Sequence, residues 1–340
     1  MRSELYCGID LHSNNCYIAI IDSEDKVVFQ GRLDNELTLI LEKLKPFRDR
    51  IVSVAVESTF NWYWLVDGVM EAGYPVELVN TSAVKQYEGL KHTDDRHDAI
   101  HLAHLRRLGI LPTGYIYPRE HRGVRDLVRK RLQFVQHRTA FILSTQNIQQ
   151  RTLGARMTTN QIKAQDPESI ATAVSDPFVA MSLGSTQEII LALGEEIRKI
   201  EREVLRLIRP SDEWQGLSTV WGIGKILATT IMLETGPIDR FKTVGDYVSY
   251  CRCVKSERIS NGKKKGENNS KNGNRYLAWA FIEAAQFAIR DYPVANQWYQ
   301  RKLAKVGKSV IARKALAHKL ARASYYVVRD GVPFKPELLF

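Results

Sequence analysis

Acidic side chains stand where predicted strands end and where a predicted helix begins, and carboxylates are well suited to hold a divalent cation. Asp10 ends the first predicted strand in YCGIDLHSNN, and Glu57 ends the fourth in VSVAVES. In KHTDDRHDAIHLAHL, Asp98 follows Asp95 by three residues and Asp94 by four, so either pair shares one helix face. Oxygen-only ligand sets favour Mg²⁺ or Mn²⁺, and two such ions suit phosphodiester cleavage. The alternative is a solvated acidic face.

Histidines crowd the same predicted helix. His97, His101 and His104 lie at helical spacing, with His92 just before them. They would give a nitrogen-rich site, but no cysteine accompanies them as in structural zinc sites. Packing or surface positions are the simpler interpretation, and one histidine remains a candidate proton carrier beside the carboxylates.

A second candidate for chemistry is the polar segment SERISNGKKKGENNSKNGNR at residues 256–275. By composition it is a solvated linker, yet a serine hydroxyl within it becomes a nucleophile if a base or a metal activates it. Its cations would neutralise a phosphodiester, and its glycines would allow close approach of the backbone. The predicted nucleic-acid-binding residues are Lys263, Lys264, Lys265, Lys271 and Arg275.

The elements that must position the carboxylates form an α/β domain. Three short β-rich runs, LYCGIDL, NCYIAIID and KVVFQGRL, predict an antiparallel meander. A helix, the strand VSVAVES, a helix ended by Gly73, the strand YPVELVN and the histidine-rich helix follow. The order βββαβαβα is typical of an RNase H-like domain, in which the first and fourth strands are neighbours. Asp10 and Glu57 should therefore lie side by side at one edge of the sheet.

The rest of the chain is predicted to be mostly helical. Residues 120–153 lack proline, and LGSTQEIILALGEEIRKIEREVLRLIRP repeats apolar residues every three to four positions. These two patterns predict long helices in an antiparallel or intermolecular coiled coil. Further on, Gly222, Ile223 and Gly224 separate two apolar helices, as in a helix-hairpin-helix that faces a phosphate or as in an ordinary tight turn.

The predicted fold class is therefore α/β plus α, with three domains. Residues 1–112 are predicted to form the RNase H-like metal-binding catalytic domain, and residues 113–210 a coiled-coil oligomerisation region. Residues 211–340 form a helical C-terminal domain that carries the serine segment and a basic surface.

The charge of the chain indicates a polyanionic partner. Its 49 Lys and Arg residues exceed its 38 Asp and Glu residues, giving a net charge of +11. The excess concentrates near the C-terminus, where residues 301–329 hold nine cationic and no acidic side chains, so nucleic acid is expected there.

The four cysteines lack zinc-site spacing and are predicted to be reduced core thiols. With neither an export signal nor a long apolar run, the expected location is cytoplasmic and, during activity, at the nucleoid.

Several motifs, in order along the chain, resemble those of the DEDD insertion-sequence transposases. They are G-I-D at 8–10, V-E-S at 56–58, D-R-H-D-A at 95–99, the Gly-Ile-Gly turn, and S-N-G-K-K-K-G followed by K-N-G-N. This family is related to the pilin-gene invertase Piv and is also described as bridge-RNA-guided or seeker-RNA-guided recombinases. The resemblance extends to the C-terminal GVPF.

The resemblance implies a RuvC-like domain that binds Mg²⁺ (or Mn²⁺) through four acidic residues. In this sequence they are Asp10, Glu57, Asp95 and Asp98. Asp95 is selected because it directly precedes the arginine of the family pattern, but the adjacent Asp94 could share or take its role.

The resemblance also implies a C-terminal transposase domain whose serine attacks DNA and holds it as a phosphoserine. Ser260, which stands before Asn261 and Gly262, is the best match, while Ser256 and Ser270 stay open. The family acts as an oligomer, here a dimer or tetramer, in which the serine loop of one protomer completes the acidic site of another. A non-coding guide RNA supplies specificity for donor and target DNA, and the charge of +11 is consistent with such a partner.

Three rival functions follow from the same residues. An actin-like ATPase or sugar kinase would need a second, glycine-rich phosphate loop, which the sequence lacks, and His12 and Ser13 replace its small residues. A non-catalytic nucleic-acid-binding protein would not need all four acidic positions. A Holliday-junction resolvase needs the four carboxylates but no serine, so metal-dependent nicking by a Ser260→Ala variant would favour it.

Overall fold

The computed structural model describes residues 3–84, 87, 95–208, 211–254, 257–267 and 272–340, and within 257–267 it describes the side chains at 260–263, 265 and 266. The chain divides into two compact units, Met1–Arg119 and Glu120–Phe340. The three-domain division remains a prediction. Among the described residues, no helix combines the length and apolarity that a membrane span needs.

A mixed five-stranded sheet forms the centre of the first unit. Its strands are β1 (Leu5–Leu11), β2 (Asn15–Asp22), β3 (Val27–Asp34), β4 (Ile51–Glu57) and β5 (Val76–Val79), in the order β3-β2-β1-β4-β5. The β1–β2 and β2–β3 pairs are antiparallel, whereas β1–β4 and β4–β5 are parallel. This order is consistent with an RNase H-like domain and confirms that the first and fourth strands are neighbours.

Helices cover both faces of this sheet. They are α1 (Leu37–Leu44), α2 (Tyr63–Glu71), α3 (Thr81–Val84) and α4 (Asp95–Arg107), and a 3₁₀ turn at Lys45–Arg50 precedes β4. Leu5, Cys7 and Ile9 of β1 pack in one core cluster with side chains of α1 and α2. Because side chains alternate across a strand, Gly8 and Asp10 belong to the opposite face, which α4 covers.

The described part of the second unit is helical apart from one small hairpin. Its helices are α5 (Arg119–Leu153, beginning at the boundary), α6 (Thr159–Ala164), α7 (Pro167–Thr172), α8 (Pro177–Leu207), α9 (Asp212–Thr219), α10 (Lys225–Thr235), α11 (Val244–Tyr250), α12 (Arg275–Asp291), α13 (Pro293–Val306) and α14 (Ser309–Asp330). The main core lies among α9–α12 and α14. Short 3₁₀ turns occur at Ile238–Arg240 and Pro336–Leu338. All four cysteines of the chain are buried free thiols, as the sequence predicts.

The two long predicted helices are present and pack against each other within the chain. Arg131 of α5 forms an ion pair with Glu201 of α8 at 2.5 Å, and Ile142 packs with Ile190. Since residue numbers rise along one helix as they fall along the other, the pair is antiparallel. Its role as a coiled coil between protomers remains a prediction.

The Gly-Ile-Gly segment forms a tight turn that α12 crosses closely. Gly222 has a φ of +80°, and a Cβ atom there would lie 2.0 Å from the carbonyl oxygen of Ala284. Close packing therefore explains this glycine, which is the simpler of the two interpretations. The helix-hairpin-helix role remains a prediction.

The serine segment differs from the linker that its composition suggests, because its centre forms a β-hairpin. Strand β6 (Glu257–Ser260) pairs antiparallel with β7 (Lys263–Glu267), and Ser260 lies opposite Lys263. Between them, Asn261 and Gly262 have φ values of 51° and 70°. A two-residue type I′ turn requires positive φ at both central positions, which Asn-Gly adopts readily.

Candidate active site

Two carboxylates meet at the carboxyl ends of neighbouring parallel strands. Ile9 of β1 is paired with Val56 of β4, so Asp10 and Glu57 follow at the same edge of the sheet. Asp10 is 1% exposed. The strand registers thus confirm that these two residues lie side by side, as the strand order predicts.

Helix α4 brings two more carboxylates to this edge. It crosses β1 at Gly8, where a Cβ atom would lie 2.1 Å from the carbonyl oxygen of Ala99. Only a residue without a side chain lets the helix lie so close. Asp95 and Asp98 occupy the first turn of α4, and Asp98 is near enough for its charge to raise the pKa of Asp10.

Asp10 is the electrostatic centre of the group. Burial, followed by a hydrogen bond with Glu57 and the negative charges of Glu57 and Asp98, raises the pKa of Asp10 to about 8, against a partial opposing effect of His12. The Oδ2 atom of Asp10 is buried and accepts no hydrogen bond from any residue in the described ranges. A buried carboxylate among like charges is costly unless a cation or a proton offsets it.

His12 belongs to the site, although it is not among the site residues predicted from the sequence. Its Nε2 atom lies 3.5 Å from Asp10 Oδ2 and 3.2 Å from Asp95 Oδ2. The side-chain amides of Asn35 and Asn61 each donate to the His12 carbonyl at 2.9 Å and hold this turn in place. The signal in the sequence is the spacing Asp-x-His at the end of a strand.

These residues fit a divalent cation. Ligand atoms of Asp10, His12 and Asp95 all lie within 4.8 Å of one another, and Glu57 and Asp98 add carboxylates. The buried acceptor Asp10 Oδ2, which receives no hydrogen bond from the described residues, is the atom that a cation would satisfy. An oxygen-rich set of this kind suits Mg²⁺ or Mn²⁺.

Of the predicted histidines, His101 is buried and His104 is held by an ion pair with Asp25 at 2.8 Å. His97 is half-buried on the same helix. Among the described residues, none of these three histidines belongs to the cluster formed by Asp10, His12 and Asp95. Packing and structural pairing therefore account for His101 and His104, as the simpler interpretation holds.

Ser260 lies on the hairpin of the second unit, at the last position of β6, and is exposed. Lys263 and Lys265 of β7 and Arg275 at the start of α12 are also exposed. The hairpin thus presents a hydroxyl flanked by cations. Outside the described residues lie His92, Asp94, Ser256, Ser270 and Lys271, together with the side chain of Lys264.

Comparison with known proteins identifies the family. A sequence model of DEDD transposases of the IS110 type matches residues 7–152, and a model described as "Transposase IS116/IS110/IS902 family" matches residues 215–300. Together the two matches cover more than half of the chain and include both Asp10 and Ser260. The chain belongs to the IS116/IS110/IS902 family of transposases. It is a transposase of an insertion sequence, and such enzymes act on DNA.

Relatives of this transposase match nearly its whole length. A "Probable family 20 transposase" of Pseudomonas aeruginosa is 23% identical, over 97% of this chain and 98% of that protein. The "Transposase for insertion sequence element IS1328" of Yersinia enterocolitica is 24% identical, over 96% and 97%. The "Transposase for insertion sequence element IS1111A" of Coxiella burnetii is 22% identical, over 85% and 79%. Membership of the DEDD group implies a divalent metal, in agreement with the acidic cluster.

Proposed function

We propose that this transposase cuts and rejoins DNA strands in a reaction that requires Mg²⁺ or Mn²⁺ and passes through a phosphoserine at Ser260. The observation that carries the proposal is the convergence of Asp10, Glu57, Asp95 and Asp98 on one edge of the sheet, with the Oδ2 atom of Asp10 buried among them. A solvated acidic face would not bury its central carboxylate. The proposal therefore favours metal-dependent chemistry over DNA binding alone.

Asp10, Glu57, Asp95 and Asp98 are proposed to hold the metal ions. When bound, divalent ions neutralise charge on a phosphodiester and lower the pKa of an attacking hydroxyl. His12 orients Asp10 and Asp95 through its contacts with both.

Ser260 is proposed to be the nucleophile. Its Oγ atom forms a bond to phosphorus while the bond from phosphorus to one deoxyribose oxygen breaks, and the proton lost by the serine ends on that oxygen. Attack by a hydroxyl of another strand reverses the exchange and releases the serine. One ester replaces another at each step, so no ATP is needed. Lys263, Lys265 and Arg275 stabilise the phosphate by charge.

The serine and the carboxylates belong to different units of the chain, which is compatible with a site completed by a second protomer. The exposed hairpin carries Ser260 among cations, whereas activation of a hydroxyl requires a base or a metal. We therefore propose a dimer or tetramer with composite sites. The family resemblance further leads us to propose a guide RNA beside the DNA, and the net charge of +11 is consistent with such a partner.

Trapping the intermediate tests the proposal. Purified protein is incubated with element-end DNA and Mn²⁺, quenched in denaturant, digested and analysed by mass spectrometry. We expect a nucleotide-linked peptide that carries the adduct on Ser260, and no adduct in Ser260→Ala or Asp10→Asn protein. The control Ser218→Ala changes an exposed serine elsewhere in the same unit and should leave the adduct intact.

Three outcomes would contradict parts of this proposal. An adduct on a residue outside 256–270 would remove the assignment to this segment, and an adduct on Ser256 or Ser270 would move the nucleophile within it. Nicking that persists in Ser260→Ala protein without any adduct would favour a resolvase. Sequencing the nucleic acid that co-purifies with the protein tests guidance, since a guided enzyme should carry one discrete RNA species.

A further inference from the structure

A polar groove of about 640 Å³ lies in the second unit between α5 and the start of α12. Its lining combines cations, amides and aromatic rings. The lining includes Arg129, Lys130 and Gln133 of α5, and Arg275, Tyr276 and Trp279 of α12. Since α12 begins eight residues after the serine hairpin ends, the groove lies close in sequence to the proposed nucleophile.

A buried carboxylate fixes one wall of this groove. Glu234, 1% exposed, accepts hydrogen bonds from Arg125 at 2.9 Å and from Arg129 at 2.5 Å. The side-chain amide of Asn274 donates to the same carboxylate at 2.7 Å. Asn274 also caps α12 by accepting from the backbone N–H groups of residues 276 and 277. The groove therefore has a rigid, preorganised wall.

Among the described residues, no carboxylate forms an ion pair with the two cations at the mouth of the groove. Lys130 is exposed and contacts the neutral Gln133 at 2.8 Å, and Arg275 is exposed and donates to the Tyr276 hydroxyl at 2.8 Å. The acidic residue in the lining, Asp126, lies 3.7 Å from Arg129.

Aromatic rings lie beside these cations. The guanidinium carbons of Arg129 and Arg275 lie 4.4 Å and 4.9 Å from the centre of the Tyr276 ring. Trp279, one helical turn further along α12, is half-buried and lines the groove. Cations that follow a phosphate backbone, combined with rings on which bases stack, are the features by which proteins bind unpaired nucleic-acid strands.

We propose that this groove binds a segment of single-stranded nucleic acid, with phosphates at Lys130 and Arg275 and a base stacked on Trp279. An unpaired strand fits better than a duplex, whose bases are stacked on one another and do not present their faces. The inference rests on the proposed function, because the strand in the groove would be a continuation of the strand that reaches Ser260 on the hairpin. The chemistry is common to DNA and RNA.

Binding by catalytically inactive protein tests the groove separately from the reaction. In a Ser260→Ala background with EDTA, fluorescence anisotropy measures the affinity for labelled oligothymidylate and oligouridylate. Lys130→Glu changes a cation of the groove that has no part in the proposed reaction, so it should weaken binding and reduce the slope of log affinity against log salt by about 0.7. The matched control, Lys199→Glu, makes the same charge change at an exposed position of α8 and should bind like the parent.

Crosslinking gives a second readout that does not depend on folding of the charge variants. Photoactivated 4-thiothymidine in the oligonucleotide should attach to the tryptic peptide of residues 276–290, which contains Tyr276 and Trp279. Stronger binding of oligouridylate would assign the groove to RNA, and equal or weaker binding would allow DNA. The inference would be overturned if the groove variant and the control variant both bind like the parent and every crosslink lies outside residues 276–290, even if the phosphoserine is found. Loss of binding without any phosphoserine would retain the groove and reject the proposed reaction.

Discussion

Asp10 and Glu57 lie on neighbouring parallel strands, each one residue beyond the paired Ile9 and Val56. Burial, and then the hydrogen bond with Glu57, raise the pKa of Asp10 to about 8. Without a metal, Asp10 therefore keeps a proton at neutral pH, and a divalent cation would have to displace it. Metal affinity should rise with pH for this reason.

The contribution of Asp10 to the stability of the metal-free protein is expected to fall as the pH rises from about 4 to about 8. In this window the folded protein keeps the Asp10 proton, whereas the unfolded chain releases it near the ordinary value of 3.8. Since the folded state binds more protons, deprotonation opposes folding. Asp10→Asn removes this titration. In EDTA, the melting temperature of the variant minus that of the unmodified protein should therefore increase from about pH 4 to about pH 8. The exposed control Asp49→Asn should follow the unmodified protein, and a constant gap for Asp10→Asn would contradict the prediction.

Added Mg²⁺ or Mn²⁺ should stabilise the protein through the same carboxylates. A ligand at one hundred times its dissociation constant stabilises the folded state by about 2.7 kcal/mol. Glu57→Gln and Asp98→Asn should each reduce the rise in melting temperature, as measured by differential scanning fluorimetry during a metal titration. Asp49→Asn is again the control. An undiminished rise in both site variants would place the metal elsewhere.

Asp95, rather than its neighbour Asp94, is expected to serve in the acidic site. Asp95 Oδ2 lies 3.2 Å from His12 Nε2 in the cluster that contains Asp10. Asp95→Asn should therefore reduce recombination in a donor-target plasmid assay by about a hundredfold, while Asp94→Asn should retain most activity. The reverse pattern would assign the ligand role to Asp94.

Gly8→Ala is expected to damage the site without touching a carboxylate. The new methyl group would meet the Ala99 carbonyl oxygen at 2.1 Å, so α4 would have to move away from β1 and carry Asp95 with it. Overpacking of this kind costs about 1–3 kcal/mol, and the metal-induced rise in melting temperature should shrink. Gly31→Ala is the matched control, because its methyl group would lie at an ordinary 3.6 Å from Phe29. Equal behaviour of the two variants would show that this helix contact is not required.

Asn261→Val is expected to impair strand transfer by disrupting the hairpin turn. Asn261 has a φ of 51°, a left-handed conformation that costs an ordinary L-residue about 1–2 kcal/mol. Asn261→Gly should retain activity because glycine adopts this conformation freely. Strand transfer and the melting temperature are measured together. If Val and Gly variants transfer strands equally well, the turn geometry is not needed for the reaction.

Strand order and the Asp10–Glu57 pair could be predicted because they depend on local patterns and on one rule of topology. Each strand shows its own apolar run, and the order βββαβαβα makes the first and fourth strands neighbours. The long helices were equally visible in residues 120–153 and in the apolar repeat that follows.

Contacts between distant residues were not predictable in the same way. Glu234 meets Arg125, 109 positions away in the chain, and neither residue shows a local signal for the contact. His12 was missed because its meaning depends on where Asp95 comes to lie. The dipeptide Asn261-Gly262 is typical of a two-residue hairpin turn. The charged strands around it, however, lack the apolar alternation that normally accompanies such a turn.

The parts of the chain before and after the serine hairpin are hydrogen-bonded to each other beside the helical core. The backbone N–H of Asn274 donates to the Tyr250 carbonyl at 2.6 Å, and Arg252 Nε donates to the Gly273 carbonyl at 3.0 Å. The polypeptide thus leaves the core and returns to it at almost the same point. Because closing a longer loop adds little entropy cost, residues could be added to or removed from this excursion while the helices beneath keep their packing. The length of the segment that carries Ser260 could therefore vary at little cost to the packing of the helical core.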